Sequence, residues 1–310
     1  RVRWSLDRRL EPGQTHAVGG RLRLRAYAGR PVEMIRRWRD QAARRGLRAT
    51  PAPDWARRAN IIEFNTHPTT HTHPFQRLDD PRVRELLVSW KEMGYNTIFT
   101  VGHNRTGTHF LSPYAYEPCE AAGGLAGEKQ YLDWAHELGF KPFLWVTTVG
   151  MERRAPEVAA HPDWWTQRPD GSLFYAWDSH PPDYVGYAPD GDPLSTGWRR
   201  WLEDQVERVL RRGYDGIFID GCIPRASNHA RHDWPGRGRD AVADQVRALA
   251  ERVRSVRAGL ATLVEDGALY AQCCCEVAQG RYYPVPPYWK KAHWDHGMGG
   301  GPDAAVAPPQ

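Results

Sequence analysis

From about residue 60 onward the chain repeats one pattern. A short apolar run is followed by a polar loop, then by a longer stretch whose apolar positions fall at helical spacing and which closes on glycine. The apolar runs Asn60 to Thr66, Thr97 to Val101, Pro142 to Thr147, Ile217 to Asp220 and Ala268 to Cys275 predict five strands. Between them the spacing predicts helices over Pro81 to Met93, Glu128 to Leu138, Gly197 to Arg212 and Asp240 to Val256, with Gly94, Gly139 and Gly213 as C-terminal stops. Such alternation predicts parallel strands joined by right-handed crossover helices. Long connections follow strands and short ones follow helices, which is the asymmetry of a (β/α)8 TIM-type barrel whose site is built at the strand C-termini. A doubly wound sheet would carry a glycine-rich phosphate turn after a strand, and none follows here. After Glu276 only 34 residues remain (310 − 276), so the barrel is expected to be incomplete, with about five βα units.

The first 53 residues follow a different rhythm. Leu22, Leu24 and Ala26 alternate with arginines after turn signals at Glu11-Pro12-Gly13 and Gly19-Gly20, predicting a half-buried strand. Val32, Ile35 and Trp38 share one face of a helix predicted over Pro31 to Arg45, which Gly46 ends. Residues 1–53 are therefore expected to be the end of a β-rich domain plus a helix and the linker Pro51-Ala52-Pro53, and residues 54–310 the barrel, truncated at its C-terminal end. The chain opens on Arg1 without a signal-peptide pattern, so it is expected to be a fragment lacking both native ends.

Composition narrows the function classes. With 41% apolar residues and 14 Trp, the chain has ample material for a core. The net charge is +5, but the basic residues are scattered among 37 acids, so no nucleic-acid partner is expected. No apolar run approaches ~18 residues, so no membrane span is expected. The five cysteines include the run Cys273-Cys274-Cys275, with Cys119 and Cys222 isolated, and form neither a disulfide framework nor a CxxC metal motif. No cofactor is expected.

The stretch Tyr214-Asp215-Gly216-Ile217-Phe218-Ile219-Asp220-Gly221 is where pattern turns into chemistry. Three apolar residues run into an acid and a glycine, as in a fully buried parallel strand that delivers a carboxylate to a barrel mouth. Asp220 is thus the first catalytic candidate; the plain alternative is an acid that caps the next helix.

Four segments together carry a family resemblance: Gly94-Tyr95-Asn96-Thr97-Ile98, Trp134 to Pro142, His161-Pro162-Asp163-Trp164, and Tyr214 to Asp220. Over about residues 54 to 280 the chain resembles the barrels of retaining glycoside hydrolases of the α-amylase-like and α-galactosidase-like groups, above all bacterial relatives in which a β-sandwich precedes the barrel. The resemblance implies that Asp220, the acid ending strand four, is the nucleophile. It also implies a carbohydrate substrate and a second carboxyl group at the end of strand five or six. Glu276, closing the Ala268 to Cys275 run, is expected to be that acid/base, facing Asp220 at the ~5 to 6 Å separation of retaining enzymes. Glu265, before the turn signal Asp266-Gly267, is expected at the bottom of the barrel. One departure concerns Phe218, which stands where α-amylases carry an arginine two residues before the nucleophile.

Glu63 and Asn65 on strand one, His103 and Asn104 after strand two, Trp145 on strand three and Trp164 in the loop beyond it are expected to bind the sugar by hydrogen bonds or stacking. Two other chemistries fit the residues. His67, His71 and His73 after strand one, with His229 and His232 after strand four, resemble the metal site of amidohydrolase barrels. A carbohydrate-binding barrel without catalysis is the other.

Overall fold

The computed structural model describes residues 51–66, 77–106, 113–148, 155–167, 171–173, 191–221, 238–265 and 275–279, together with Glu33, Asp40 and Arg44, which are helical. The strand predicted at Leu22 to Ala26 lies outside the described residues.

Six strands form one parallel sheet: β1 (Ile61–Asn65), β2 (Thr97–Val101), β5 (Lys141–Thr147), β6 (Gly216–Asp220), β7 (Ala261–Glu265) and β8 (Val277–Gln279), hydrogen-bonded in that order. Strands β3 (Asn104–Thr106) and β4 (Pro113–Pro118) make a separate antiparallel pair inside the connection that leaves β2. Helices α1 (Pro81–Glu92), α2 (Gly124–Glu137), the short α3 (Pro156–Ala160), α4 (Thr196–Arg211) and α5 (Gly238–Val256), with three single-turn 3-10 helices, complete the described elements. This is the partial (β/α) barrel that the alternation predicts.

Local chemistry explains the helix limits. Asp80 accepts from the Arg82 amide (3.0 Å) and Pro81 takes the first position, where its missing N–H is harmless. At the far end Gly94, at φ 89°, lets the Tyr95 amide reach back to the Trp90 carbonyl (3.0 Å). Gly139 does the same for α2, with Phe140 N–H donating to Ala135 O (2.8 Å).

The fifth strand differs from expectation. It is Ala261–Glu265, not Ala268 to Cys275; residues 266–274 lie outside the described residues, and a sixth strand, β8, follows. The run Ala261 to Val264 is short, and the longer apolar run after Gly267 outweighs it in a reading of length alone. The helix geometry decides instead: α5 ends at Val256 and Gly259, at φ 81°, turns the chain straight back into the sheet.

Side chains alternate between two faces. Outward-facing Phe64 packs on Trp90 of α1 and Tyr131 of α2 (centroids 5.6 and 5.7 Å), so Glu63 and Asn65 take the inner face. Phe99 of β2 and Phe218 of β6 meet at 4.3 Å although β5 lies between their strands, which shows that the sheet curls around its inner face. Trp55, before β1, packs edge-on against Phe143 (5.6 Å) and donates to Gly259 O (2.9 Å), tying the segment ahead of β1 to the α5–β7 turn. Among the described residues no helix is long and apolar enough to cross a membrane.

Candidate active site

Asp220 is the last residue of β6, at the C-terminal end of the sheet. Its strand starts at Gly216, where a Cβ would fall 2.1 Å from Ala261 O and 2.4 Å from the Phe143 ring. A side chain there would push β6 off both neighbours, so glycine keeps the strand seated and Asp220 at its level. Trp145 Nε1–H donates to Asp220 Oδ2 (3.0 Å), and the Gly221 amide donates to Oδ1 (2.6 Å). The backbone is tied as well: Thr148 N–H donates to Asp220 O (3.0 Å), and the Thr148 hydroxyl lies within reach of Asp220 O (3.2 Å) and Gly221 O (2.9 Å).

Tyr116 of β4 fixes the neighbouring strand end. Its hydroxyl accepts from the Thr147 amide (2.7 Å) and donates to the Thr147 carbonyl (3.2 Å). Thr147 is the register partner of Asp220. Burial pushes the Tyr116 phenol far above its ordinary pKa, the Thr147 hydrogen bond offsets part of this, and the nearby charge of Asp220 adds to it.

Glu276 does not join this site. It stands just before Val277, which pairs with Leu263, so it lies at the start of β8 and level with the start of β7. Its Oε1 accepts from Arg254 Nη1 (2.9 Å) and its Oε2 from the Thr262 amide (2.8 Å), and its side chain is 1% exposed. This is an anchor between α5 and β7 at the opposite end of the sheet. The expectation of a facing pair with Asp220 fails because the strand was assigned one element too late. Glu265, expected at the bottom, closes β7 instead. Ile219 pairs with Val264 in parallel register, so the next level up is Asp220 on β6 and Glu265 on β7. The signal was present in the sequence: Ala-Thr-Leu-Val-Glu-Asp-Gly repeats the apolar run, acid and glycine of Gly-Ile-Phe-Ile-Asp-Gly.

The expected sugar contacts separate into groups. Asn65 ends β1 on the inner face, while Glu63 lies two residues inside that strand, in register with Phe99. Trp145 is 2% exposed and its N–H is engaged with Asp220, so it offers no face to a sugar. Trp164 is also buried: its ring stacks on His161 (4.0 Å, 4° between planes) and touches Trp165, Trp198 and Trp201. That aromatic cluster packs the connection after β5 onto the start of α4. Gly191 and Gly197 make room for it, since a Cβ at either would lie 2.3 Å from an indole.

His103 is fully buried and faces Glu128 of α2, with Nε2 3.1 Å from Oε1 and 3.1 Å from the Tyr214 hydroxyl. Tyr214 also donates to Glu128 Oε1 (3.1 Å), and Arg212 Nε donates to Oε2 (2.5 Å). Burial alone would raise the Glu128 carboxyl, but His103 and Arg212 outweigh it and hold the group below its ordinary range. His103 thus belongs to a buried polar network rather than to the mouth. Asn104 remains available: it is 1% exposed, and neither atom of its amide has a hydrogen-bond partner. Such a buried amide costs about 1–3 kcal/mol, which a polar occupant would remove. His67, His71, His73, His229 and His232 lie outside the described residues, as do Asp178, Asp183 and Asp190.

Comparison with known proteins agrees with this fold. Residues 146–269 match a family described as hypothetical glycosyl hydrolase family 15, and the matched stretch contains both Asp220 and Glu265. No curated protein matches the sequence. An α-amylase from Lactobacillus plantarum superposes with a TM-score of 0.52 at 19% identity, covering 68% of this chain and 46% of its own. A noncanonic maltogenic α-amylase from Thermotoga neapolitana gives 0.52 at 18%, covering 71% and 48%. An α-galactosidase from Thermus thermophilus, solved in complex with stachyose, gives 0.50 at 15%, covering 74% and 44%. The chain spans a little under half the length of these three proteins. Its fold is that of the TIM-barrel glycoside hydrolases of α-amylase and α-galactosidase type, and its central strands match a glycosyl hydrolase family.

Proposed function

We propose that this chain carries the catalytic barrel of a retaining glycoside hydrolase acting on an oligo- or polysaccharide, with Asp220 as nucleophile and Glu265 as acid/base. The observation that carries the reading is the parallel register of β6 and β7, in which Ile219 pairs with Val264 and each is followed directly by an acid that ends its strand, Asp220 and Glu265. Adjacent strands lie ~4.8 Å apart. That spacing suits carboxyl groups ~5 to 5.5 Å apart, as retention requires, better than the ~6.5 to 9.5 Å that leaves room for a water.

In the first step the Asp220 carboxylate forms a bond to the anomeric carbon as the glycosidic C–O bond breaks, and the Glu265 carboxyl gives its proton to the departing oxygen. In the second, the Glu265 carboxylate takes a proton from water, whose oxygen attacks the anomeric carbon and displaces Asp220. Asn65, and the unpaired amide of Asn104, are the polar contacts that we assign to the sugar. Phe218 packs on Phe99, so the inner face is apolar where α-amylases have a cation, and an α-amylase assignment gains no support.

The test is a screen of the protein against α- and β-nitrophenyl glycosides, starting with α-glucosides and α-galactosides, followed by trapping with the matching fluorosugar. The expected result is a glycosyl adduct on the peptide containing Asp220 and a product that keeps the anomeric configuration of the substrate. An inverted product, or an adduct on another residue, would overturn the reading.

A further inference from the structure

We propose that Trp145 is a positioning residue for the nucleophile: its indole N–H holds Asp220 in the ionised form and fixes which way the carboxylate turns. This rests on the reading of Asp220 as nucleophile and adds a role that the family resemblance does not supply.

Trp145 is the register partner of Phe218, two residues before Asp220 on the adjacent strand, so its side chain shares the inner face with Asp220. A tryptophan at that level is long enough to climb past Phe218 and place Nε1 against Oδ2, at 3.0 Å. Its ring is 2% exposed and packed into the core. A donor held by packing cannot rotate away, unlike a serine or lysine donor on a flexible stem.

The opposite oxygen receives the Gly221 amide at 2.6 Å, so each carboxylate oxygen has a fixed N–H donor. Hydrogen bonds of this kind favour the charged form, because an indole or amide N–H can only donate. They also stop the carboxylate from spinning about its C–C bond. A nucleophile needs both properties: charge at the working pH, and one oxygen aimed at the anomeric carbon.

Among the described residues, Tyr116 from β4 is electrostatically coupled to Asp220, Glu265 follows the register partner of Ile219 on β7, and Glu63 lies on the inner face of β1. Tyr116 is raised far above its ordinary pKa and stays protonated throughout, so it contributes no acidic limb. A substrate that leaves without a proton removes the need for Glu265 as proton donor, and the charge of Glu265, present alike in wild type and variant, cancels in their ratio.

The experiment is a pH profile of kcat/KM for Trp145→Phe, using a dinitrophenyl glycoside that the wild-type protein hydrolyses. Removing the N–H should move the acidic limb to higher pH. Activity relative to wild type should be at least about tenfold lower near pH 4.5 than near pH 7.5, the size of one charge-assisted hydrogen bond. The effect should fall on kcat more than on KM. Because Trp145 is buried, Trp145→Phe could fail to fold, so site-specific replacement by 3-benzothienylalanine, which keeps the ring shape without the N–H, is the second variant. A relative activity that is the same at all pH values in the folded variant would overturn the proposal, as would a change confined to KM. If instead Asp220→Asn keeps full activity, the nucleophile reading itself fails, a result distinct from a flat profile with the adduct still on Asp220.

Discussion

Asp215 and Asp220 stand five positions apart on the same short stretch, at opposite ends of β6, and their surroundings differ in kind. Asp215, just before the strand, accepts from His136 (2.8 Å) and Lys141 (3.2 Å) and lies 3.6 Å from Arg257. Glu276, at the same end of the sheet, is held by Arg254 and the Thr262 amide. Asp220, at the far end, is gripped by an indole and a backbone amide and is only half-buried. The acids at the strand starts tie helices to strands. The acid at the strand end is oriented by an indole and a backbone amide and stays partly exposed. Position along a parallel strand therefore says more about the role of an acid in this chain than residue type or burial does.

The largest expected effect tests that contrast directly. Asp220→Asn should lower kcat by roughly a thousandfold or more on every substrate while leaving the thermal midpoint nearly unchanged, since the amide keeps the shape. Steady-state rates and a melting curve on the same preparation check it. An active Asp220→Asn variant would break the comparison at once.

Glu265 and Glu276 make the second test, because they sit at opposite ends of their strands. Glu265→Gln should cost about 10²–10⁴-fold on glycosides with poor leaving groups and far less on dinitrophenyl glycosides. Glu276→Gln should leave rates alone and lower stability by about 1–3 kcal/mol, a figure discounted because Arg254 is partly exposed. Kinetics against leaving-group pKa, with denaturant unfolding alongside, separates the two. If Glu276→Gln showed the leaving-group dependence, the register argument would fall.

These two residues also show what could be read from the sequence. The strand–helix alternation, the glycine stops and the delivery of Asp220 follow from periodicity and local caps, which act over a few residues and leave a clear imprint. Strand five escapes the pattern because Ala261 to Val264 is only four residues, while the nearly unbroken apolar run from Ala268 to Cys275 is twice as long. Trp145, Trp164 and His103 each meet a partner distant in sequence, Asp220, Trp198 and Glu128. Pairings of that separation leave no mark on local pattern. The antiparallel β3–β4 pair, which brings Tyr116 to Thr147, was hidden for the same reason.

Glu128 sharpens the comparison from a third side, as a buried acid at neither strand end. Breaking its network by Glu128→Gln should destabilise the protein by about 3 kcal/mol, because Arg212 keeps a largely buried charge. The sign of the pH effect follows from the lowered carboxyl. A depressed folded-state pKa contributes stability above the unfolded value, the ordinary Glu range near 4.5, and loses it as pH falls through the folded value. Wild type should therefore lose stability on acidification faster than Glu128→Gln, and the two unfolding curves should converge at low pH. Parallel curves would show that the network is not held by the charge on Glu128.

The smallest expected effect concerns Asp215 itself. Its side chain is 9% exposed, but its partners are open to water: His136 and Lys141 are 39% and 38% exposed, and Arg257 is 53% exposed. Solvent screens such pairs, and asparagine keeps a carbonyl oxygen to accept one of the hydrogen bonds. Asp215→Asn should then cost only about 1 kcal/mol, a fall in Tm of roughly 2–4 °C, and the difference should shrink in high salt. Catalytic rates should stay within twofold or so of wild type, since the substitution lies at the opposite end of β6 from Asp220. A double-mutant cycle with Lys141→Met should return a coupling of a few tenths of a kcal/mol. Should Asp215→Asn instead lose activity with Tm intact, both ends of β6 would belong to the reaction, and the separation of anchoring acids from the reacting one would not hold.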